Sequence, residues 1–476
     1  MSVPRDHVAV LGAGVCGLAA AWELLRSGAA QRVTVLEAED RPGGMARSVH
    51  DPSGLQADLG PHRIHTEIEE IDALLGELCD REMHWVERRS AMWVEGQWVN
   101  YPFRLGGVLR LFGPIEFCRM GFSALWAKTS GLWRPRPANF EEHMRRAFGA
   151  RVWNRVLRPY STKVWKTDPS GLSVKAAEVR VSAGSMVKMA KRLLMGGRER
   201  RGQETALKRF RYLTGGVESL VKRLGERVRG AGGVIECGAR VEEMICEGEG
   251  RWRVRHSRGE TEANAVLSTI PVTQMTPMLR GIVGESAPEE NLAALEYLAI
   301  HLVFLVINRP QATPNHWLYF PGEDICFNRG YEAKHFWEAE AAPADQTLLC
   351  LEITARPHTP LHTAGERELI ERTQGDLSRI GLVTAGEIEK SFVVTLPFGY
   401  PLYDRLSDEN LRRVLEHLAG WPGLIVTGRQ GLFSHNNMDH SMHMGLEAAR
   451  ALAAGPEGVA GFYARADRLR HHRIVD

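Results

Sequence analysis

No stretch of this 476-residue sequence holds the roughly 18 consecutive apolar residues that a helix needs to cross a bilayer. The longest apolar run, Tyr297–Ile307, is interrupted by His301; rich in Val, Ile and Leu, it reads as a buried strand. Charge of one sign is also missing. Sixty Lys and Arg stand against 58 Asp and Glu, a net +2, which speaks against a general nucleic-acid binder. Cysteine is sparse and scattered, at 16, 79, 118, 237, 246, 326 and 350, with no C-x-x-C, so neither a disulfide framework nor a metal site is expected. A leader-like pattern is absent from the N-terminus, where a short strand begins at once and glycines follow; a cytoplasmic location is the expectation. The remaining composition, 44% hydrophobic and 25% charged, is ordinary for a globular chain of roughly three domains, or two large interleaved ones.

What the chain does have is glycine at informative spacing. His7–Leu11 is β-like, Gly12-Ala-Gly14-Val-Cys-Gly17 follows, and an Ala/Leu-rich helix runs from about Leu18 to Ser27, with Gly28 as its C-terminal cap. A second strand, Arg32–Leu36, ends at Glu37, 20 residues after Gly17. Gly12 permits a tight turn, Gly14 lets a pyrophosphate approach the backbone, and Gly17 lets the helix pack close to the strand, its N-terminus facing phosphate charge. Glu37 can accept both ribose hydroxyls and would repel a 2′-phosphate. The order strand, G-x-G-x-x-G, helix, strand, acid indicates dinucleotide binding.

A second glycine turn, Arg41-Pro-Gly43-Gly44-Met-Ala-Arg47, resembles the R-x-G-G segment of amine-oxidase-like flavoproteins. That resemblance puts Gly43 and Gly44 beside an FAD pyrophosphate, with Arg47 near it. Gly230-Ala-Gly232-Gly233 precedes the strand Val234–Glu236 and reads as an ordinary turn, so a single nucleotide site is expected. One site implies bound FAD, with NAD(P)H docking only transiently as a reductant.

Further motifs extend the likeness over nearly the whole chain, toward UDP-galactopyranose mutases and protoporphyrinogen-oxidase-like proteins. Gly60-Pro61-His62-Arg-Ile-His65-Thr66 is similar to the mutase G-P-H-x-x-H-T segment, and Pro159-Tyr160-Ser-Thr-Lys163-Val-Trp165 to P-Y-x-x-K-x-W. Tyr101-Pro102-Phe103 resembles a Y-P-F that lines a nucleotide-base pocket; its alternative is plain core. Trp317-Leu-Tyr319-Phe-Pro321 and Phe327-Asn-Arg329 resemble a segment whose tyrosine and arginine hold a substrate diphosphate, and Arg180 falls where a mutase arginine lies near substrate. Val241 corresponds to a residue whose backbone contacts adenine. The closing run, Gly428-Arg429 through Asn437-Met438-Asp439-His440-Ser441, resembles the family's last flavin motif, and the helix after it would face the flavin N1–C2=O edge. Phe433 and Ala333-Lys-His-Phe336 lack hydroxyls that the mutases carry there; Tyr400 and Tyr403 are alternative sources.

The expectation is therefore an α/β (α+β) protein. Residues 1–65, 210–280 and 420–460 would form a discontinuous Rossmann-type FAD-binding domain. A mainly helical domain would span 66–209 after one hairpin, Met92–Val99 around Glu95-Gly96. A β-sheet substrate domain would span 281–419, and 461–476 would be a basic, solvated tail. His62, Arg180 and Arg329 are the candidate catalytic residues. Tyr101, Phe103, Tyr160, Trp165, Tyr319, Arg329, Tyr400 and Asn437 are candidates for holding substrate. Two chemistries stay open. A redox-neutral one uses flavin N5 as a nucleophile on a diphosphate-bearing sugar, with arginines at the leaving group. An oxidative one takes a hydride from a C–N or C–C bond. The substrate is expected to be a small molecule, and an anionic one. Residues 105–134 are rich in Leu, Phe and Trp: either a peripheral membrane contact or helices packed on their own domain. Residues 188–211 carry a local charge of +7 within the net +2, a solvated loop or a flap toward anions.

Overall fold

The computed structural model describes residues 5–60, 62–101, 105–131, 133, 135–180, 209–248, 250–281, 288–336 and 343–471. Pro61, Phe103, the side chain of Arg180 and the basic stretch 188–208 lie outside them.

The nucleotide-type half is built on a five-stranded parallel sheet in the order Leu424–Val426, Ala265–Ser268, Arg5–Leu11, Ala30–Leu36, Val234–Glu236. Its strands come from three separated stretches of chain. The central ones are buried throughout their second halves and apolar there except at Thr34, as a sheet covered on both faces requires. Helix α1, Val15–Arg26, leaves Gly14 directly from the first strand. It packs against the helix Glu218–Gly230 and against a C-terminal helix. A four-stranded sheet, Val241–Gly248, Arg251–His256, Gly259–Ala263 and Leu279–Gly281, lies against the other side.

The second half is a seven-stranded sheet in the order Ile388–Pro401, Tyr297–Ile307, Thr347–Ala355, Arg329–Glu332, Trp317–Tyr319, Ser90–Val94, Gln97–Tyr101. All 11 residues of Tyr297–Ile307 are buried, because this strand pairs on both sides and is covered on both faces. The hairpin turns at Glu95 and Gly96, both with positive φ (51° and 76°), the geometry a two-residue hairpin needs. Its strands join this sheet through a parallel pairing of Trp317 with Ser90. The hairpin expected at the head of the helical segment therefore belongs to the substrate-side sheet, and with it Tyr101.

Beyond the hairpin comes helix α2, Leu105–Gly131, kinked where Gly113 takes φ 75° ahead of Pro114. The C-terminal helix α3, Met438–Ala453, closes the nucleotide half. The described residues after it, to His471, form a packed helix with an exposed outer side. Gly455–Arg470 is helical, Arg470 is 2% exposed, and its guanidinium pairs with Asp408 (2.9 Å) and Asp467 (3.3 Å). Arg465 and Arg468 are exposed, while Arg470 turns inward to its two ion pairs; residues 472–476 lie outside the described ones.

Candidate active site

The two glycine turns meet. Gly43 N–H donates to the Ala13 carbonyl at 2.9 Å, and Gly14 and Gly43 form an isolated parallel bridge. Each glycine is required for a different reason. A Cβ on Gly17 would lie 2.0 Å from the Gly12 carbonyl oxygen, so only glycine lets α1 approach the first turn. A Cβ on Gly14 would meet nothing nearer than the Gly43 oxygen at 4.0 Å, so no protein contact demands that glycine. A group seated against the Gly14 backbone does account for it. Glu37 is 7% exposed; its Oε2 accepts from Ala13 N–H (2.8 Å) and its Oε1 from Glu39 N–H (3.0 Å), holding the acid at the mouth of the turn. Ala239 N–H donates to the Glu37 carbonyl at 2.8 Å and brings the Val241 end alongside. Arg47 donates to the Gly44 carbonyl (3.0 Å) and pairs with Glu39 (3.4 Å).

Gly428 takes φ 81° and packs where a Cβ would meet Cys16 Sγ at 3.0 Å. Gly445 abuts the Cys16 carbonyl in the same way, so α3 and α1 run in close contact. Asn437 caps α3 in a capping box with His440. Ser441 Oγ donates to Asn436 Oδ1 at 3.1 Å. Met438 and Asp439 open the first turn of α3. Asp439 is 6% exposed, and burial pushes its carboxyl up to about 6 against hydrogen bonds from His440 and Thr66. Arg429 donates to the Asn436 carbonyl and to the Gly399 carbonyl (3.0 Å), and lies 5.7 Å from the Tyr400 ring centre.

Gly60 (φ 103°) turns the chain from the strand Gln56–Asp58 toward His62. Asp58 anchors that turn from beneath. Its carboxylate accepts from Ser48 Oγ (2.6 Å), Tyr212 Oη and Val217 N–H (3.2 Å), and its carbonyl accepts from Tyr331 Oη. Three chain segments, around Ser48, Tyr212–Val217 and Tyr331, thereby converge on one buried acid. Burial pushes the Asp58 carboxyl up to about 6, partly offset by those hydrogen bonds. Folding then takes up a proton between pH about 4 and about 6, and the stability from this group falls as pH rises through that window. Asp58→Asn is expected to cost about 2 kcal/mol, with a larger loss at pH 4.5 than at pH 7. Urea unfolding at the two pH values measures this.

His62 is half-buried, and its Nε2–H donates to the Met45 carbonyl at 3.2 Å. Desolvation, together with the charges of Arg429 and Arg329, pushes it down to about 4, so it is a neutral imidazole at pH 7. These three residues share one electrostatic neighbourhood.

The substrate-side sheet supplies the facing wall. Tyr319 is paired directly with Arg329, and Arg329 directly with Glu352, in adjacent antiparallel strands. The ten-residue spacing of Tyr319 and Arg329 is therefore the register of a hairpin-like pair. Arg329 donates through Nε (3.2 Å) and Nη2 (2.5 Å) to Glu352 Oε2, and through Nη2 to Tyr400 Oη (3.2 Å). Tyr400 donates to Glu352 Oε1 at 2.9 Å, and Glu352 is 3% exposed. The ring of Tyr319 is 5.2 Å from Tyr101 and 6.5 Å from Tyr160. Arg88, which the sequence did not single out, lies 5.8 Å from the Tyr101 ring and 5.5 Å from the Trp317 ring, and donates to Tyr319 Oη at 3.4 Å.

Other expected residues lie elsewhere. Trp165 is 2% exposed with its ring 6.3 Å from Tyr403, which makes it a core side chain with little surface for a ligand. Tyr403 accepts from His435 N–H (2.6 Å) and is equally buried. Phe433 is fully buried, 4.8 Å from Tyr297, so its missing hydroxyl faces core. Lys163 is spent on structure, donating to the carbonyls of Phe320 (2.7 Å) and Gly322 (2.6 Å).

Parallel sheet, paired glycine turns and a capped helix facing an aromatic and arginine-lined wall define a dinucleotide-binding flavoprotein. Residues 10–78 match the NAD(P)-binding Rossmann-like domain family. Residues 135–453 match the family of flavin containing amine oxidoreductases, to which the chain belongs. Human protoporphyrinogen oxidase is 26% identical over 327 residues, 62% of this chain and 68% of that protein. Streptomyces griseus phytoene dehydrogenase is 55% identical over 58 residues, 12% of this chain and 11% of that one. A reduced UDP-galactopyranose mutase structure superposes with TM-score 0.81 at 23% identity, covering 98% of both chains. An Exiguobacterium structure described as a protoporphyrinogen oxidase superposes with TM-score 0.74 at 19% identity, covering 94% of this chain and 99% of that one. The chain is a FAD-dependent enzyme, and among its described residues no helix is long and apolar enough to span a membrane.

Proposed function

We propose that the enzyme acts on a nucleotide-sugar-type substrate bearing a diphosphate, in the manner of a pyranose/furanose mutase. The carrying observation is the cross-strand row Tyr319–Arg329–Glu352, with Tyr400 and Tyr160 beside it and His62 and Arg429 across from it. Bound FAD supplies the reactive N5 and its electrons. Gly12, Gly14, Gly17, Gly43, Gly44 and Glu37 would hold its pyrophosphate and ribose, and Arg47 and the first turn of α3, with Asn437, Met438 and Asp439, would lie along it.

The protein's own part is binding and charge placement. Arg329 presents a guanidinium whose Nε and one Nη are fixed by Glu352 and Tyr400, so its orientation is preset before substrate arrives. Tyr319 and Tyr160 offer phenol hydroxyls beside it for phosphate oxygens, and Tyr101 offers a ring face for a base. His62, neutral, keeps its proton on Nε2 and holds the Met45 carbonyl in place. Arg429, fixed through three partners, presents positive potential without moving.

One observation favours a second reading, a hydride-abstracting oxidoreductase. Glu352 neutralises Arg329 and leaves a wall of mostly phenolic, uncharged surface. Anaerobic titration separates the two readings. In the first, UDP and UDP-galactose perturb the absorbance of the reduced holoenzyme, and Arg329→Lys weakens this about tenfold or more by losing bidentate geometry. No response to millimolar UDP-sugars, with bleaching of the oxidised flavin by an amine or a porphyrinogen, would move the assignment to the oxidoreductase.

A further inference from the structure

A cavity of about 280 Å³ opens beside the strand Met83–Glu87, lined by His84, Trp85, Glu87, Arg89, His316 and His335 among others. None of the residues assigned above to FAD or to substrate lines it.

Two of its groups are left without partners. His316 is 1% exposed, and its Nδ1 accepts from Arg89 N–H at 3.2 Å. Burial, helped by the charges of His335 and Arg89, pushes this imidazole down to about 4, so at pH 7 the ring is neutral with its proton on Nε2. That Nε2–H has no hydrogen-bond acceptor among the described residues; the His335 backbone acts on the ring without completing a bond to it. Arg89 is exposed at the rim, and among the described residues its guanidinium makes no hydrogen bond or ion pair. The remaining polar groups are already engaged. His84 Nε2–H donates to the Phe336 carbonyl at 2.9 Å, and His335 Nε2–H to the Thr313 carbonyl at 2.6 Å. Glu87 stands directly opposite Arg209 in the antiparallel pair that Met83–Glu87 makes with Arg209–Leu213, so its charge is answered. Trp85, 54% exposed, forms the lip, with the Arg209 guanidinium 4.4 Å from its ring centre.

We propose that this cavity is a second ligand site, for a small oxyanion: a carboxylate or phosphate group held by Arg89 at the rim and by His316 Nε2–H at the back. The two unmet needs are a cation and a buried N–H donor, and an anionic oxygen answers both. A metal ion does not. The inward nitrogens of His84 and His335 are spent on backbone carbonyls, and His316 offers a proton, not a lone pair. Among the described residues, the histidine and carboxylate group spaced for a metal lies elsewhere, at Asp408, Asp467 and His471. The site stands whether or not the enzyme acts on a sugar nucleotide.

The test is a titration of flavin-loaded enzyme carrying 15N-labelled imidazoles, with sodium phosphate and separately with sodium acetate, the ionic strength held by sodium chloride. The His316 Nε2–H resonance, identified by its loss in His316→Gln, should shift and saturate at millimolar anion. Arg89→Gln should weaken that binding about tenfold or more, with the visible flavin spectrum unchanged. The anion that saturates first tells phosphate from carboxylate. Phosphate can also reach the Arg329 wall, so Arg329→Lys enzyme is titrated beside the parent, and its His316 shift should be the same. The thermal midpoint reads the same binding without a His316 variant: it should rise with the anion in the parent and stay level in Arg89→Gln. No shift with either anion overturns the proposal and leaves a cavity that holds water. So does a shift that chloride alone produces, or one that survives Arg89→Gln.

Discussion

Gly17→Ala protein is expected to purify colourless. The added methyl would sit 2.0 Å from the Gly12 carbonyl oxygen, a backbone atom that cannot swing aside, so α1 must shift off the first strand. That movement carries away the Gly14 turn, the N-terminus of α1 and the contact of Cys16 with Gly428 and Gly445. Gly14→Ala separates loss of cofactor from loss of fold. Gly14 has φ −71° and ψ 173°, which alanine adopts readily, and its Cβ would face open space. The apoprotein of that variant should unfold within about 1 kcal/mol of the parent apoprotein. It should nevertheless retain little FAD, because the methyl occupies the space where the pyrophosphate approaches. The ratio of flavin to protein absorbance, read beside an apoprotein denaturation curve, tests both statements. A Gly14→Ala protein that purifies fully yellow would show that nothing presses on this backbone.

Glu352→Ala should cost about 3–5 kcal/mol and abolish turnover. The carboxylate is 3% exposed and accepts from Arg329 twice, from Tyr400 and from Asn328. Removing it leaves a largely enclosed guanidinium without its counter-charge and takes an acceptor away from Tyr400 and Asn328. Glu352→Gln keeps the volume and part of the hydrogen bonding, so a smaller stability loss, about 1–2 kcal/mol, is expected. The Gln variant also distinguishes the two proposed chemistries. With Glu352 neutral, Arg329 faces the site with its full charge. A diphosphate-bearing ligand should then bind at least as tightly as to wild type, even where catalysis falls. Calorimetric binding of UDP to the Gln variant gives that comparison; a large loss of UDP affinity would mean that Glu352 acts through orientation and not through charge.

The nucleotide half was legible because its requirements are local. Gly12, Gly14, Gly17 and Glu37 lie within 26 residues, and each answers to a turn, an approach or a strand end that can be reasoned from the chain alone. Tyr319 and Arg329 were found through a motif, and the sheet then explained their spacing as a cross-strand pair. Arg88 and Glu352 went unseen for a physical reason. Each reaches the site by register between strands distant in sequence, Ser90 beside Trp317 and Glu352 beside Arg329, and nothing nearby in the chain marks either. Trp165 shows the reverse, a motif position that packing turns inward.

The sequence by itself determined the cofactor class, since a phosphate-cradling backbone is written in glycines a few residues apart. It also determined the buried Tyr297–Ile307 strand, through a run that is apolar at every position but His301. Only the tertiary structure decided which arginine is neutralised and which tyrosines face one another. Those outcomes depend on pairing and packing between elements dozens to hundreds of residues apart. There a buried carboxylate such as Glu352 or Asp58 gains its meaning from partners that no local pattern names.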